Sequence, residues 1–172
     1  MKYSNTPSAI KARLKRLPKL LRDHMVSARK RDAKECIQYF QSGLLNNEFK
    51  LTPLSPRTIE EKIRLGCSKP SNPLYRMGLD QARTYIKGLR YFKTNNGYVV
   101  RMTGRHYDGK IDNHTLLMIH EYGCTLKNGS RIPARPALRE AYNRTLKNIQ
   151  VRDGALKKTI EDYLRTGEWN AK

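Results

Sequence analysis

Apolar residues recur at Ile10, Leu14, Leu17, Leu21, Met25 and Ala28, in steps of three or four that lay one stripe along a helix. Pro18 falls inside that stripe. A proline there lacks a backbone donor and crowds the preceding turn, so the helix either kinks or starts afresh with Pro18 in its first turn. We take the second arrangement, a helix from about Pro18 to about Ser42, with Cys36, Ile37 and Phe40 on its later apolar side. Ser55 then stands where it would cap a short helix with Pro56 in the first turn, over residues 57–65, and Gly66 would end it. Residues 68–77 are rich in Pro, Ser and Asn and read as a loop. Within residues 78–87, Leu79, Ala82 and Ile86 return to helical spacing.

The second half changes period. Residues 89–94 and 98–103 are β-rich and flank Asn95-Asn96-Gly97, and an Asn-Gly step tolerates the positive φ of a hairpin turn. Residues 104–114 are polar and read as a mobile loop, followed by an apolar run, Leu116 to Ile119, that predicts a third strand over 115–122. Leu126 and Ile132 flank Asn128-Gly129, a second hairpin signal. Pro133 to Pro136 then leads into a helix with Leu138, Tyr142, Leu146 and Ile149, and a last amphipathic piece starts at Ala155. Helices, then a small antiparallel sheet with hairpins, then C-terminal helices, without βαβ alternation, predict an α+β fold. A length of 172 residues makes one domain the default, with residues 1–50 as a basic helical arm, 51–149 as the core and 150–172 as a C-terminal helical extension.

Charge narrows the partners. Lys and Arg number 35 against 15 Asp and Glu, a formal charge of +20, and eleven of those basic residues lie within the first 34 positions. Nucleic acid, an acidic protein surface or an anionic membrane would each answer that sign. The run Arg29, Lys30, Arg31 and Lys34 is the densest cluster on the first helix, and its plain reading is a solvated face. Three well-separated cysteines, Cys36, Cys67 and Cys124, show no metal spacing and are expected as free thiols in a reducing compartment. Without a long apolar run or a secretion signal, the chain is expected to be soluble and intracellular when made, with no membrane partner.

Catalytic signatures are thin. His120-Glu121 opens like a zinc-protease motif, but the second ligand position holds Cys124. The four histidines are scattered, the glycines are spread singly, and carboxylate pairs such as Glu60-Glu61 lack any clustering that would nominate a metal or an acid-base site. No cofactor, no metal and no enzymatic activity are expected. Arg131, Arg135 and Arg139 around two prolines read either as a stiff docking loop or as a rigid entry into the next helix.

Three stretches carry a resemblance. Leu54-Ser55-Pro56-Arg57-Thr58-Ile59 with Lys62 and Gly66, then Asn72-Pro73-Leu74 and Met77-Gly78-Leu79, resembles a passage "L-S-x-x-T … K … P-L … T-G-x-L", with Met77 in place of threonine. Ile119-His120-Glu121-Tyr122-Gly123 is similar to "I-H-E-F-G" at a strand end. Ile132-Pro133-Ala134-Arg135-Pro136-Ala137-Leu138 is similar to "I-P-A-R-P-F-L", with Ala137 in the aromatic position. Together the three resemble the virion-morphogenesis, or tail-completion, proteins of tailed bacteriophages, and the likeness runs in order from Leu51 to Ile149.

The resemblance implies a structural virion protein that works as a homo-oligomeric ring, with a hexamer as the expected stoichiometry, at the head-proximal end of the tail or in the neck. Its implied partners are neighbouring neck, connector and tail-tube or tail-terminator proteins, with genomic DNA passing non-specifically; host cytoplasm would hold it only during assembly. Leu54, Ser55, Thr58, Lys62, Pro73, Leu74, Gly78, Leu79, His120, Glu121, Gly123, Pro133, Arg135 and Pro136 become structural or assembly contacts. His120 and Glu121 are expected to fix the turn at Gly123 or a subunit contact through hydrogen bonds, and the loops at 66–72 and 104–114 to serve as arms. Arg29, Lys30, Arg31 and Lys34 would face either the DNA passage or acidic partners. The rival reading is a small basic nucleic-acid-binding or DNA-packaging accessory protein using the first helix.

Overall fold

Cys36, Phe40 and Leu44 lie four residues apart, and this spacing puts all three on one face of a helix, where all three are buried. The computed structural model describes residues 6–74, 85–105 and 110–171. Its elements are α1 (Pro7–Leu45), α2 (Pro56–Arg64), the hairpin β1 (Leu89–Thr94) and β2 (Gly97–Met102), α3 (Asn113–Tyr122), the short hairpin β3 (Cys124–Thr125) and β4 (Arg131–Ile132), and α4 (Ala137–Thr166). The architecture is α+β, with a long first helix, small antiparallel pairings and a C-terminal helix. Two compact units divide the chain: Ala33–Thr145, and Met1–Asp32 together with Leu146–Lys172.

In the unit Ala33–Thr145, the α1 stripe meets Phe49, Cys67, Leu74, Ile86, Leu89, Met102, Leu117, Ala137 and Ala141 in one core cluster. Burying Phe40 and Leu44 contributes about 2–3 kcal/mol each. Gly43 belongs to the same packing. A Cβ at that position would collide with the Phe49 ring, so the glycine is what lets the ring lie on the helix.

β1 and β2 pair in antiparallel register from Leu89↔Met102 to Thr94↔Gly97. The two residues between the strands are therefore Asn95 and Asn96, and within the turn only Gly97 has a positive φ, 139°. The second hairpin forms as its Asn-Gly step predicts: Gly129 has φ 79°, and its amide donates to Leu126 O.

Four expectations are corrected. First, α1 begins at Pro7 and continues through Pro18 instead of starting there. Pro18 removes one intrahelical donor, but it and Leu14, four residues earlier, are both exposed, so water can replace the lost bond.

Second, residues 115–122 are helical. Asp112 caps α3 through the Thr115 amide at 2.8 Å, Asn113, Leu117 and Glu121 form its buried stripe, and Gly123 ends it. Four consecutive apolar residues satisfy either period, and the cap with the buried stripe decides for the helix.

Third, α4 is one helix through Gly154, and its buried face is Ala137, Ala141 and Thr145, while Tyr142 and Leu146 are exposed. Small residues win that face because they permit close approach to the core.

Fourth, residues 66–72 are no free arm. Cys67 and Asn72 are buried, and Lys69 Nζ donates to Leu45 O at 2.6 Å. The predicted helix over 78–87 is helical from 85 onward, its earlier part lying outside the described residues, as do 106–109 of the predicted loop.

In the unit Met1–Asp32 with Leu146–Lys172, the first part of α1 runs antiparallel to the second part of α4. Arg13 Nη1 donates to Leu164 O and Arg165 O, both at 2.9 Å, and Arg152 pairs with Asp32 at 2.6 Å. Trp169 is edge-on to both Tyr163 and His24. Tyr163 is the one buried hydrophobic of this unit among the described residues, so polar links and a small aromatic cluster hold it more than a core does.

Candidate functional site

The site assembles from three sequence-distant stretches of the unit Ala33–Thr145. The first is the turn into α2. Ser55 has an extended backbone and caps the helix, its hydroxyl accepting from the Thr58 amide at 3.3 Å and sharing a 2.8 Å hydrogen bond with the Thr58 hydroxyl. One turn on, Lys62 is buried, and its Nζ donates to Asn72 O at 2.6 Å. Asn72 in turn donates from Nδ2 to Leu44 O at 2.7 Å. Leu44 O and Leu45 O are among the last carbonyls of α1, which have no partner within their own helix, so Asn72 and Lys69 supply the missing donors.

The second stretch is the end of α3. Glu121 is buried, and its two carboxylate oxygens accept the Leu138 amide at 2.6 Å and the Arg139 amide at 3.3 Å. These are free donors in the first turn of α4, so a carboxylate borrowed from another helix satisfies them. Burial pushes the Glu121 carboxyl above the ordinary carboxylate range, and the two amides with the Arg139 charge partly offset that. Gly123 follows at φ 72° and ψ 172°, a backbone region essentially reserved for glycine, and a Cβ there would stand 2.7 Å from Ile132 O.

The third stretch is 132–136. Arg135 is buried, and its guanidinium donates to Thr52 O at 2.9 Å and Pro53 O at 3.2 Å, while its own amide donates to His120 O. The Thr52 hydroxyl returns a bond to Ala134 O at 3.0 Å. One arginine thus clips the strand-like entry of α4 to the segment before α2. Its planar fork holds its donors in a fixed geometry that reaches two carbonyls at once.

These stretches line a single groove of about 700 Å³. Leu54, Ser55, Thr58, Lys62, Pro73, Leu74, His120, Pro133 and Arg135 are all on its wall. Glu121, Gly123 and Pro136 are not; Glu121 and Gly123 fix the chain beside it. Gly78 and Leu79, with Met77, lie outside the described residues. Tyr85, Arg105 and Asn113, which also line it, carried no sequence signal of their own, whereas Leu116 belongs to the apolar run read as a strand. The Tyr85 hydroxyl is pushed up by burial and, secondarily, by the Glu121 charge, so it stays protonated at neutral pH; its ring meets His120 edge-on at 6.2 Å. Asn72, part of the family-like Asn72-Pro73-Leu74 passage, stands directly before Pro73, a turn position where Asn commonly bonds nearby backbone.

The arginine trio divides by role. Arg135 is the buried clip, Arg139 lies 5.6 Å over the exposed Tyr122 ring, and Arg131 is exposed at the groove. Of the basic run on α1, Arg29, Lys30 and Lys34 are exposed, whereas Arg31 is half-buried with its Nε shielded from solvent. None of the four lines the groove. Among the described residues no group of three or more His, Cys, Asp or Glu could hold a metal ion, and no helix is long and apolar enough to cross a membrane. None of Cys36, Cys67 and Cys124 is in a disulfide.

Compared with protein families, with curated proteins and with solved structures, the chain matches none.

Proposed function

We propose that this chain is a non-enzymatic structural protein of a tailed-bacteriophage virion, which forms a ring at the neck or head-proximal tail end and supports head-tail joining and DNA passage. The observation that carries the reading is the convergence of its three family-like stretches. Segments as far apart as Leu54 and Arg135 interlock through Lys62, Glu121, Gly123 and Arg135 and share one groove. A chance likeness of three short strings gives no reason for them to meet in space.

The second motif ends a helix, not a strand: the Glu121 carboxylate caps the start of α4, and His120 lends its backbone carbonyl to the Arg135 amide, so the chain just before Gly123 is tied to the entry of α4. A ring needs two different complementary faces on each subunit, and cyclic closure allows such contacts without open filaments. The exposed Arg29, Lys30 and Lys34 offer diffuse, sequence-independent attraction, which suits DNA that must slide.

Native mass spectrometry and negative-stain imaging of the purified full chain test the reading, with closed rings as the expected result and a tagged copy located at the neck of whole particles as the decisive one. The basic face of α1 supports the rival reading of a nucleic-acid-binding or packaging accessory protein. A chain that stays monomeric and binds duplex DNA tightly, with a steep loss as salt rises, would replace the ring proposal with that one.

A further inference from the structure

The groove has a chemical bias that identifies the kind of partner it fits. Its walls are aliphatic and proline-rich, with Leu54, Leu116, Ile119 and Ile132 among the apolar side chains and Pro53 and Pro133 stiffening the backbone. Among the described residues that line it, every charged side chain is basic: Lys62, Arg105, Arg131 and Arg135. Lys62 and Arg135 are buried and already donate to backbone carbonyls of Asn72, Thr52 and Pro53. Arg105 and Arg131 are exposed, and neither makes an ion pair among the described residues.

We propose that the groove is a docking site for an extended, acidic and aliphatic segment of a partner protein. Its apolar side chains would fill the floor, and its carboxylates would pair with the Arg105 and Arg131 guanidiniums. The proposal names the partner chemistry of the site described above and rests on that site being an assembly contact.

Charge complementarity selects an acidic occupant, and the wall selects a peptide over nucleic acid. Single-strand binders present open aromatic faces for bases and a track of cations for phosphates. Here Tyr85 is buried, His120 meets it edge-on, and two exposed guanidiniums make no track. A volume of about 700 Å³ lies in the range of ordinary ligand sites, and a proline-stiffened wall loses little freedom on binding. Two exposed guanidiniums on an otherwise apolar lining would give register and speed of encounter, while the apolar side chains would give the affinity.

Selection from a random peptide display library on the immobilised full-length chain tests this. The expected result is an excess of Asp and Glu interleaved with Leu, Ile or Val among the enriched peptides. Fluorescence anisotropy with one enriched peptide should then show affinity falling at least about tenfold in the Arg105→Glu/Arg131→Glu double variant. Both residues are exposed, so an unchanged melting temperature will show that the variant is folded. A bulky maleimide on Cys124, which also lines the groove, should block the same peptide.

No enrichment, enrichment without acidic residues, or binding indifferent to the charge reversal would overturn the proposal. So would an oligonucleotide of equal length that competes as well as the peptide does, which would give the groove to nucleic acid. The two readings fail separately. Rings that select no acidic peptide retain the ring assignment and lose this one, and a monomer that selects them does the reverse.

Discussion

One carboxylate oxygen of Glu121 sits 2.6 Å from the Leu138 amide, so the last turn of one helix caps the first turn of the next across seventeen positions of chain. Replacing Glu121 with Ala leaves two first-turn amides of α4 without their acceptor, at a cost of about 2 kcal/mol. Glu121→Gln keeps one acceptor oxygen and sheds the buried charge, so its loss should be smaller. Urea unfolding of the three proteins checks the order, and equal losses for Ala and Gln would refute the capping role.

The same carboxyl makes a signed pH prediction. Burial raises its folded-state pKa, so the folded protein holds this proton more tightly than the unfolded chain. Its contribution is fully present below the ordinary glutamate range and is lost as pH rises through the raised folded value. Relative to Glu121→Gln, wild type should therefore lose stability over that rise. Asp112 behaves oppositely: hydrogen bonds from Thr115 lower its pKa, so its contribution is present above the ordinary aspartate range and disappears as pH falls through the folded value. Asp112→Asn should lack that acid-side loss. Melting temperatures across an acid-to-neutral series measure both slopes.

Gly123→Ala combines a forbidden backbone region with a Cβ 2.7 Å from Ile132 O and 3.0 Å from Ala134 N. Backbone strain alone costs about 1–3 kcal/mol, and the contact adds to it because both neighbours are backbone. The variant should melt well below wild type and, if the ring reading holds, assemble poorly at temperatures where wild type forms rings. A variant as stable as wild type would show that the turn is not fixed as described.

Lys62 is basic yet buried against Asn72 O, so it serves the fold and not a nucleic-acid contact. Lys62→Met should destabilise by about 2 kcal/mol through the carbonyl left without its donor, with no change in the salt slope of any DNA binding. Substituting the exposed Lys30 and Lys34 should do the reverse: stability unchanged, salt slope reduced.

The thiols should separate by reactivity. Burial pushes the Cys36 thiol up, Cys67 is likewise buried, and Cys124 is half-buried at the groove. A small disulfide reagent should titrate Cys124 first in the native protein and all three after denaturation. Rapid reaction of Cys36 would mean that the α1 stripe is not packed as observed.

Much of this molecule is written in local spacing. Ser55-Pro56, Gly66 and Asn128-Gly129 mark their helix and turn boundaries because each acts on amides within four residues of itself. The Cys36–Phe40 stripe is read the same way. From its residues alone the chain declared an α+β fold, free thiols and the short strings that meet at the groove.

Tertiary structure decided the rest. The run Leu116 to Ile119 suits a strand or a helix, and burial of Asn113, Leu117 and Glu121 on one face settled it. On α4 the small residues, not Tyr142 and Leu146, face the core. Nothing near Lys62 or Arg135 in the chain announces that these two cations are buried clips, because the carbonyls that satisfy them belong to residues brought near by folding, in the case of Arg135 from some eighty positions away. A charged side chain can be buried only where such acceptors converge, and that convergence is a property of the folded chain.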